Sequence, residues 1–160
     1  MTSFALFLAL LSTAPTTGAP PILRRVGYDQ RLGARVPLDL EFRDEAGRPV
    51  TLGQYFGKRP VVLALAYYEC PSLCTLVLNG MLRAFRMLSF NVGAEYEVIV
   101  VSIDPHETPA LAAQKKQTYL EKYGREGAGR GWHFLTGEEP SIAELAGAVG
   151  FRYAYDAASG

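Results

Sequence analysis

Two short apolar runs and one longer periodic segment dominate the hydrophobic pattern of the chain. Residues 60–66 and 96–103 are rich in valine, leucine or isoleucine, and each run has the length of a buried β-strand. Between them, residues 73–88 place apolar side chains every three to four positions, which predicts a helix. The side chains expected on its buried face are Leu73, Leu76, Val77, Met81, Ala84, Phe85 and Leu88.

A different pattern comes before the first of these runs. Residues 36–42 alternate apolar and polar side chains, which is typical of a strand with one face buried. A polar turn at 44–48 separates this segment from a second short strand at 49–52, so we predict a hairpin. The alternation places four side chains of its first strand on the buried face: Val36, Leu38, Leu40 and Phe42.

The beginning of the chain has the pattern of a targeting segment. Residues 4–11 form an apolar run of signal-peptide length, followed by small residues. We interpret residues 1–19 as an export leader or the remnant of a membrane anchor, although no lysine or arginine precedes the run. Residues 20–35 show little apolar periodicity and are interpreted as an extended linker. One domain is then expected at 36–160.

The remainder of the chain alternates between helix and strand patterns. Thr108 followed by Pro109 predicts the start of a second helix, with the threonine as N-cap and the proline in the first turn. This helix is expected to run to about Tyr123, before a glycine-rich loop and a short strand at 132–136.

A third helix is predicted near the end of the chain. Ser141 and Glu144 have the spacing of a capping box, and Gly150 is a typical C-terminal stop. Residues 151–155 then begin another strand. Because strands and helices alternate along the chain, we predict an α/β fold.

The only two cysteines, Cys70 and Cys74, come directly after the first predicted strand. Cys70 is expected in the strand-to-helix turn and Cys74 in the first helical turn, where their sulfurs can face the same side and join as a disulfide. The N–H groups and dipole of a helix N-terminus stabilise thiolates. Such a dithiol can cycle with a disulfide or hold Cu(I), whereas the alternative is two buried, inert thiols.

Composition narrows the choice of function. The chain has 16 basic and 16 acidic residues, so it shows no basic excess that would indicate a nucleic-acid partner. Two cysteines are too few for a four-thiolate zinc site or for a fold held together by several disulfides. A hydrophobic content of 49% is ample for the core of one domain.

Three motifs and the predicted hairpin around 44–48 resemble the Sco/SenC family of thioredoxin-like proteins, across about residues 25–158. The three-residue spacing between the cysteines is the specific part, because ordinary thioredoxins have a two-residue spacing. The motifs are Cys70-Pro71-Ser72-Leu73-Cys74 after the apolar run, Val101-Ser102-Ile103-Asp104-Pro105 followed by Glu107-Thr108-Pro109, and Trp132-His133-Phe134-Leu135-Thr136-Gly137.

The resemblance implies an α/β thioredoxin-like fold with an N-terminal β-hairpin, and we expect its final strands to be missing from a sequence that stops at Gly160. It implies a copper chaperone that helps to assemble the binuclear copper site of cytochrome c oxidase. Cys70 and Cys74 would be the two sulfur ligands of the copper ion, and they would form the redox pair if the protein is redox active. The third ligand of the family, a histidine, is expected beyond Gly160.

The resemblance also implies partners and a location. The expected partner is the copper-binding subunit of cytochrome c oxidase, and other copper carriers or thiol reductants are further candidates. Family members are usually held at the membrane, so we expect an exported protein on the periplasmic side of the cell envelope, with or without an anchor.

Three further residues are candidates for the site. His106 and His133 are the only histidines of the chain, and neither matches the ligand position of the family. We interpret His106 as a residue of a surface turn and His133 as a packed or partly exposed strand residue. Asp104 is either a turn former before Pro105 or a residue supporting the cysteine site.

Four functions are compatible with these residues. Copper delivery is preferred because the dithiol suits Cu(I). A thiol–disulfide oxidoreductase without a metal role uses the same thiolates, so the cysteine spacing does not separate the two. A peroxidase of redoxin type would need turnover dependent on Cys70. A non-catalytic interaction module would need both cysteines to be buried.

Overall fold

The computed structural model of the chain describes residues 25–69 and 73–154, and a three-stranded parallel sheet lies at its centre. Strand β4 (Val61–Ala66) pairs with β5 (Glu97–Ser102), and β5 pairs with β6 (Trp132–Leu135) on its other side. All six residues of β5 are buried, which explains its continuous apolar run. The strand predictions for the two apolar runs and for 132–136 are confirmed.

Three helices cover this sheet. Helix α1 (Leu73–Met87) connects β4 to β5, α2 (Pro109–Tyr123) connects β5 to β6, and α3 (Glu139–Val149) follows β6. Side chains of α1 and α2 pack on one face of the sheet, whereas those of α3 pack on the other face. The α/β prediction is therefore confirmed, with helices on both faces as parallel strands require.

The predicted hairpin is present but shorter than expected. Its strands are β2 (Glu41–Arg43) and β3 (Pro49–Thr51), and two backbone hydrogen bonds between Arg43 and Thr136 attach it to the end of β6. The prediction for Leu38 was wrong: the side chain is 44% exposed, because residues 38–39 form a turn before the strand begins. Leu40 is buried as predicted.

A second small sheet joins the two ends of the described chain. Strand β1 (Gly27–Tyr28) pairs antiparallel with β7 (Phe151–Arg152), and the side chains of Asp29 and Arg152 form an ion pair at 2.8 Å. Part of the segment interpreted as a linker is thus a strand. The predicted leader at 1–19 lies outside the described residues, as do residues 155–160.

The core on the α1–α2 face is aromatic. Trp132 and Phe134 of β6 stack against one another at 6.2 Å between ring centroids, and Tyr119 of α2 lies about as close to both. Phe85 of α1 meets Trp132 edge-on at 5.9 Å. Ring pairs in these geometries add to the free energy gained by burying their area.

Helix α1 turns a different face to this core than its periodicity suggested. The buried side chains are Leu78, Leu82 and Phe85, whereas Leu76 and Val77 are 65% and 54% exposed. Of the predicted face from Leu76 to Leu88, whose side chains the structure describes, Phe85 alone is buried. Helix α1 is apolar around much of its circumference, so contacts with α2 and the sheet choose the buried face, and the sequence periodicity does not.

Of the two helix starts predicted from capping residues, that of α2 is confirmed and that of α3 is wrong. Thr108 caps α2 as expected, since its Oγ1 accepts a hydrogen bond from the N–H of Leu111 at 3.3 Å. The capping box at Ser141 was wrong, because α3 begins two residues earlier, at Glu139, with Glu138 as its N-cap residue. Pro140 occupies the first turn, where a missing N–H costs no hydrogen bond.

Gly131 supplies a test of the packing at the start of β6. A Cβ atom at this position would lie 2.2 Å from the Cα of Gly93, a separation that backbone atoms cannot relieve without moving. We expect Gly131→Ala to lower the free energy of unfolding by about 2–3 kcal/mol through overpacking. Denaturant unfolding measures this change.

The matched control is Gly147→Ala in α3, where an added Cβ meets no atom within 4 Å. Because alanine is favoured over glycine in helices, this variant should be unchanged or more stable by up to about 1 kcal/mol. Equal stability of the two variants would contradict the close contact between Gly93 and Gly131.

Candidate dithiol site

The described residues on either side of the cysteine motif are the carboxyl end of β4 and the start of α1. Helix α1 includes Cys74 in its first turn, as predicted, and follows β4 after a short connection. Cys70 lies outside the described residues, so its distance from Cys74 stays a prediction. Ligands bind to α/β sheets at this edge, and a helix N-terminus there favours thiolate.

The chain that leads into Cys70 is held in the core by Tyr68. This side chain is 1% exposed, and its hydroxyl lies within hydrogen-bond distance of two backbone oxygens, that of Val100 at 2.9 Å and that of Leu135 at 2.8 Å, which share its single hydrogen. Burial raises the pKa of Tyr68 well above its usual value, so the phenol stays protonated as a donor. The residue two positions before Cys70 is thus anchored across all three strands.

A buried carboxylate lies beneath the same segment. Glu107 is 8% exposed, and its two oxygens accept hydrogen bonds from the backbone N–H groups of Tyr68 at 3.0 Å and Glu69 at 2.7 Å. The hydroxyl of Ser102 donates a third bond to it. Burial raises the pKa of Glu107, and the three donors oppose that rise.

The sequence interpretation used Glu107 as part of a motif and gave it no role. Its place directly before the Thr108 cap offered a weak signal, since an acidic side chain near a helix start is usually explained by the helix dipole. Its partners at the end of β4 are 38 and 39 residues away in sequence. No local pattern reveals such a contact.

Asp104 serves the turn that follows β5. Its Oδ1 accepts a hydrogen bond from the N–H of His106 at 2.8 Å and lies 2.8 Å from Nδ1 of the same residue. The His106 side chain is 91% exposed, as expected for a surface turn. His106 and Tyr67 line a common cleft of about 880 Å³ between the turn, α3 and β7.

His133 is held away from the cysteine segment, on β6. Its ring lies 4.3 Å from the ring of Tyr55 between centroids, and its Nε2 is 3.5 Å from a carboxylate oxygen of Glu97 at the amino end of β5. The prediction of a packed strand residue is confirmed. Because the cysteines follow the opposite end of β4, His133 does not join their site.

Two wider features complete the description of the site. Among the side chains described in 25–69 and 73–154, no three His, Cys, Asp or Glu residues are grouped so as to hold a metal ion. No helix of those same segments has the length and apolar character needed to cross a membrane.

A family model decides the relationship that the motifs suggested. The model described as SCO1/SenC matches residues 29–159, which include both cysteines, Glu107 and His133. The chain belongs to the SCO1/SenC family. No curated protein sequence matches the chain significantly.

Solved structures have the same fold as this SCO1/SenC protein. A proposed electron transfer protein of Aquifex aeolicus VF5 is 26% identical, with a TM-score of 0.62 over 78% of this chain and 75% of that one. Arabidopsis thaliana ScoI with copper bound is 20% identical, with a TM-score of 0.55 over 69% and 63%. Yeast Sco1 with copper bound is 18% identical, with a TM-score of 0.53 over 72% and 59%. The thioredoxin-like fold is thereby confirmed.

The surroundings of His133 predict how its contribution to stability depends on pH. Burial lowers its pKa below 6.5 and nearby Lys116 acts in the same direction, whereas the carboxylates of Glu45 and Glu97 oppose them. An unfolded chain therefore binds a proton at His133 more readily than the folded chain. The contribution of this residue to stability is complete above about pH 6.5 and is lost as the pH falls through its folded pKa.

The measurement is the free energy of unfolding of the wild type and of His133→Gln between pH 5 and 8. The difference between the two curves should fall on acidification, by no more than about 1.4 kcal/mol per pH unit for one group. A difference that is independent of pH would show that His133 titrates alike in both states.

Proposed function

We propose that this SCO1/SenC protein is a copper chaperone, which binds copper through Cys70 and Cys74 and delivers it to the binuclear copper site of cytochrome c oxidase. Family membership supports the proposal, and the fold matches that of copper-bound Sco structures. The observation that carries it is the place of Cys74, in the first turn of α1 and four residues after the only other cysteine.

The chemistry of the donor pair suits this cargo. Thiolates are soft ligands that prefer Cu(I), and a helix N-terminus stabilises them as anions. Delivery then requires only ligand exchange, in which thiolates of the recipient replace Cys70 and Cys74 one after the other. The oxidation state of the copper ion does not change in such a transfer.

The recipient and the compartment are parts of the same proposal. We place the protein on the periplasmic side of the cell envelope, where its recipient is the copper-binding subunit of cytochrome c oxidase. Other copper carriers are candidate donors, and thiol reductants are candidate partners that keep the cysteines reduced. The cleft beside Tyr67 gives a recipient access to the same edge of the sheet.

Thiol–disulfide exchange is the second candidate function. The start of α1 favours it as well, because a thiol with a lowered pKa attacks disulfides more readily near neutral pH. A redox role would act on cysteines of an envelope protein without metal transfer. The same two residues serve both functions, so a measurement with copper separates them.

The first test of copper delivery is anaerobic titration of the reduced protein with Cu(I) against a competing chelator. We expect about one copper ion per chain, and a loss of at least about a hundredfold in affinity in Cys70→Ser and Cys74→Ser, or about 2.7 kcal/mol. The control Ser72→Ala alters the same segment without removing a sulfur and should bind as the wild type does. Wild-type protein that binds no copper but exchanges disulfides would support the redox function instead.

The second test concerns Cu(II), which generally needs nitrogen or oxygen donors besides thiolates. We expect this 160-residue chain to bind Cu(II) weakly, because His106 is held by Asp104 and exposed, and His133 lies on β6 beside Glu97 at the amino end of β5. Visible absorption during Cu(II) titration measures the thiolate-to-copper band. A strong band that disappears in His106→Ala would make His106 the third ligand and contradict this expectation.

A further inference from the structure

We propose that Glu107 is the positioning residue of the dithiol site: its carboxylate holds the backbone that leads into Cys70, and so it sets where the first thiolate lies. The inference rests on the proposed function of Cys70 and Cys74. It assigns a role to a residue from a different loop, between β5 and α2, which does not itself bind the copper ion.

The first step of the argument is where the sheet stops. The last bond of the β4–β5 pairing runs from the N–H of Ile103 to the oxygen of Ala66, at 2.9 Å. Beyond Ala66 no strand continues the ladder. The N–H groups of Tyr68 and Glu69 therefore need another acceptor, and the carboxylate of Glu107 supplies one oxygen to each.

The second step is that Glu107 is itself fixed from several sides. The hydroxyl of Ser102 donates to the same oxygen that receives Tyr68, and the N–H of Glu107 donates to the oxygen of Asp104 at 3.2 Å. The next residue, Thr108, caps α2. The backbone of Glu107 and the residues around it are thus held in place. Its carboxylate can therefore fix the position of the segment that it binds.

The third step concerns the geometry of the pair of sulfurs. Helix α1 fixes the backbone at Cys74, whereas Glu107 fixes the backbone up to Glu69, one residue before Cys70. The two anchors come from opposite sides of the segment. Removing the second anchor leaves Cys74 on its helix but lets Cys70 move, which weakens copper binding and disfavours disulfide closure.

A carboxylate is also a costly choice for a merely structural bond. Burial penalises its charge, and the bond that it accepts from the N–H of Tyr68 is itself buried. Its oxygen contacts the N–H of Glu69, one residue before the proposed copper ligand Cys70. A negative charge there attracts Cu(I), so loss of the charge and loss of the anchor both lower copper affinity.

The test replaces Glu107 by glutamine, which keeps the size of the side chain but turns an amide NH₂ group toward one of the two backbone N–H groups. We expect Glu107→Gln to bind Cu(I) about tenfold more weakly, as is typical when a residue that orients a metal ligand is lost. Its Cys70–Cys74 disulfide, equilibrated with reduced and oxidised glutathione, should shift at least about threefold toward the dithiol.

The matched control is Glu45→Gln. Glu45 also bonds a backbone N–H, that of Phe134 at 2.8 Å, and it pairs with Lys116 at 2.9 Å, at the outer edge of β6. We expect this variant to lose stability in thermal unfolding while its copper affinity and disulfide equilibrium stay as in the wild type. Equal changes in both variants would mean a general loss of stability and would overturn the proposal.

Cu(I) affinity and the disulfide equilibrium together distinguish a failure of this inference from a failure of the proposed function. Wild-type protein that binds no copper would refute copper delivery, and the disulfide equilibrium of Glu107→Gln would then decide the positioning role alone. Wild-type values in Glu107→Gln for both readouts would overturn that role.

Amide hydrogen exchange of the wild-type protein covers the case in which Glu107→Gln does not fold. Slow exchange at Tyr68 and Glu69 supports the anchor, because both N–H groups are then bonded. Exchange at the rate of an open chain overturns it.

Discussion

The parallel pairing of β4 with β5 is the constraint on which the rest of the molecule depends. Six residues of each strand are in register, from Val61 opposite Glu97 to Ala66 opposite Ser102. Because the strands are parallel, the segments that follow them leave the sheet at the same edge. Tyr68 and Glu69 after β4 and Glu107 after β5 are neighbours for this reason. An antiparallel pair would have placed them at opposite ends.

Most of the elements were predictable from sequence because they depend on local patterns. The strand runs, the Thr108–Pro109 helix start and the hairpin turn each carry their own signal within a few residues. The errors have different causes. Tertiary contacts choose the buried face of a helix that is apolar on several sides, as α1 is. At the start of α3, the proline directly before Ser141 favours an earlier helix start. The pairing of β1 with β7 joins residues more than 120 apart, which no local pattern encodes.

The residues of the candidate site also fall into two groups, those that a local sequence pattern reveals and those whose roles depend on contacts between distant segments. Cys70 and Cys74 were found by spacing, since two cysteines four residues apart between a strand and a helix are conspicuous in any sequence. Glu107 and Tyr68 were not assigned roles, because their contacts link different strands and loops. Tyr68 resembles an ordinary core aromatic until its hydroxyl is seen to bond Val100 and Leu135. Glu107 resembles an ordinary surface acid until it is seen to be buried.

The contacts of Glu107 also explain how a buried carboxylate is tolerated at the end of β4. Three donors neutralise much of its field: the N–H groups of Tyr68 and Glu69 and the hydroxyl of Ser102. On the other side of the cysteine segment, the start of α1 presents partial positive charge. The described chain is therefore fixed by an acceptor up to Glu69, and it resumes at a helix start of the kind that favours thiolates. An apolar side chain at 107 would remove the charge, but it would leave two N–H groups without an acceptor directly before Cys70.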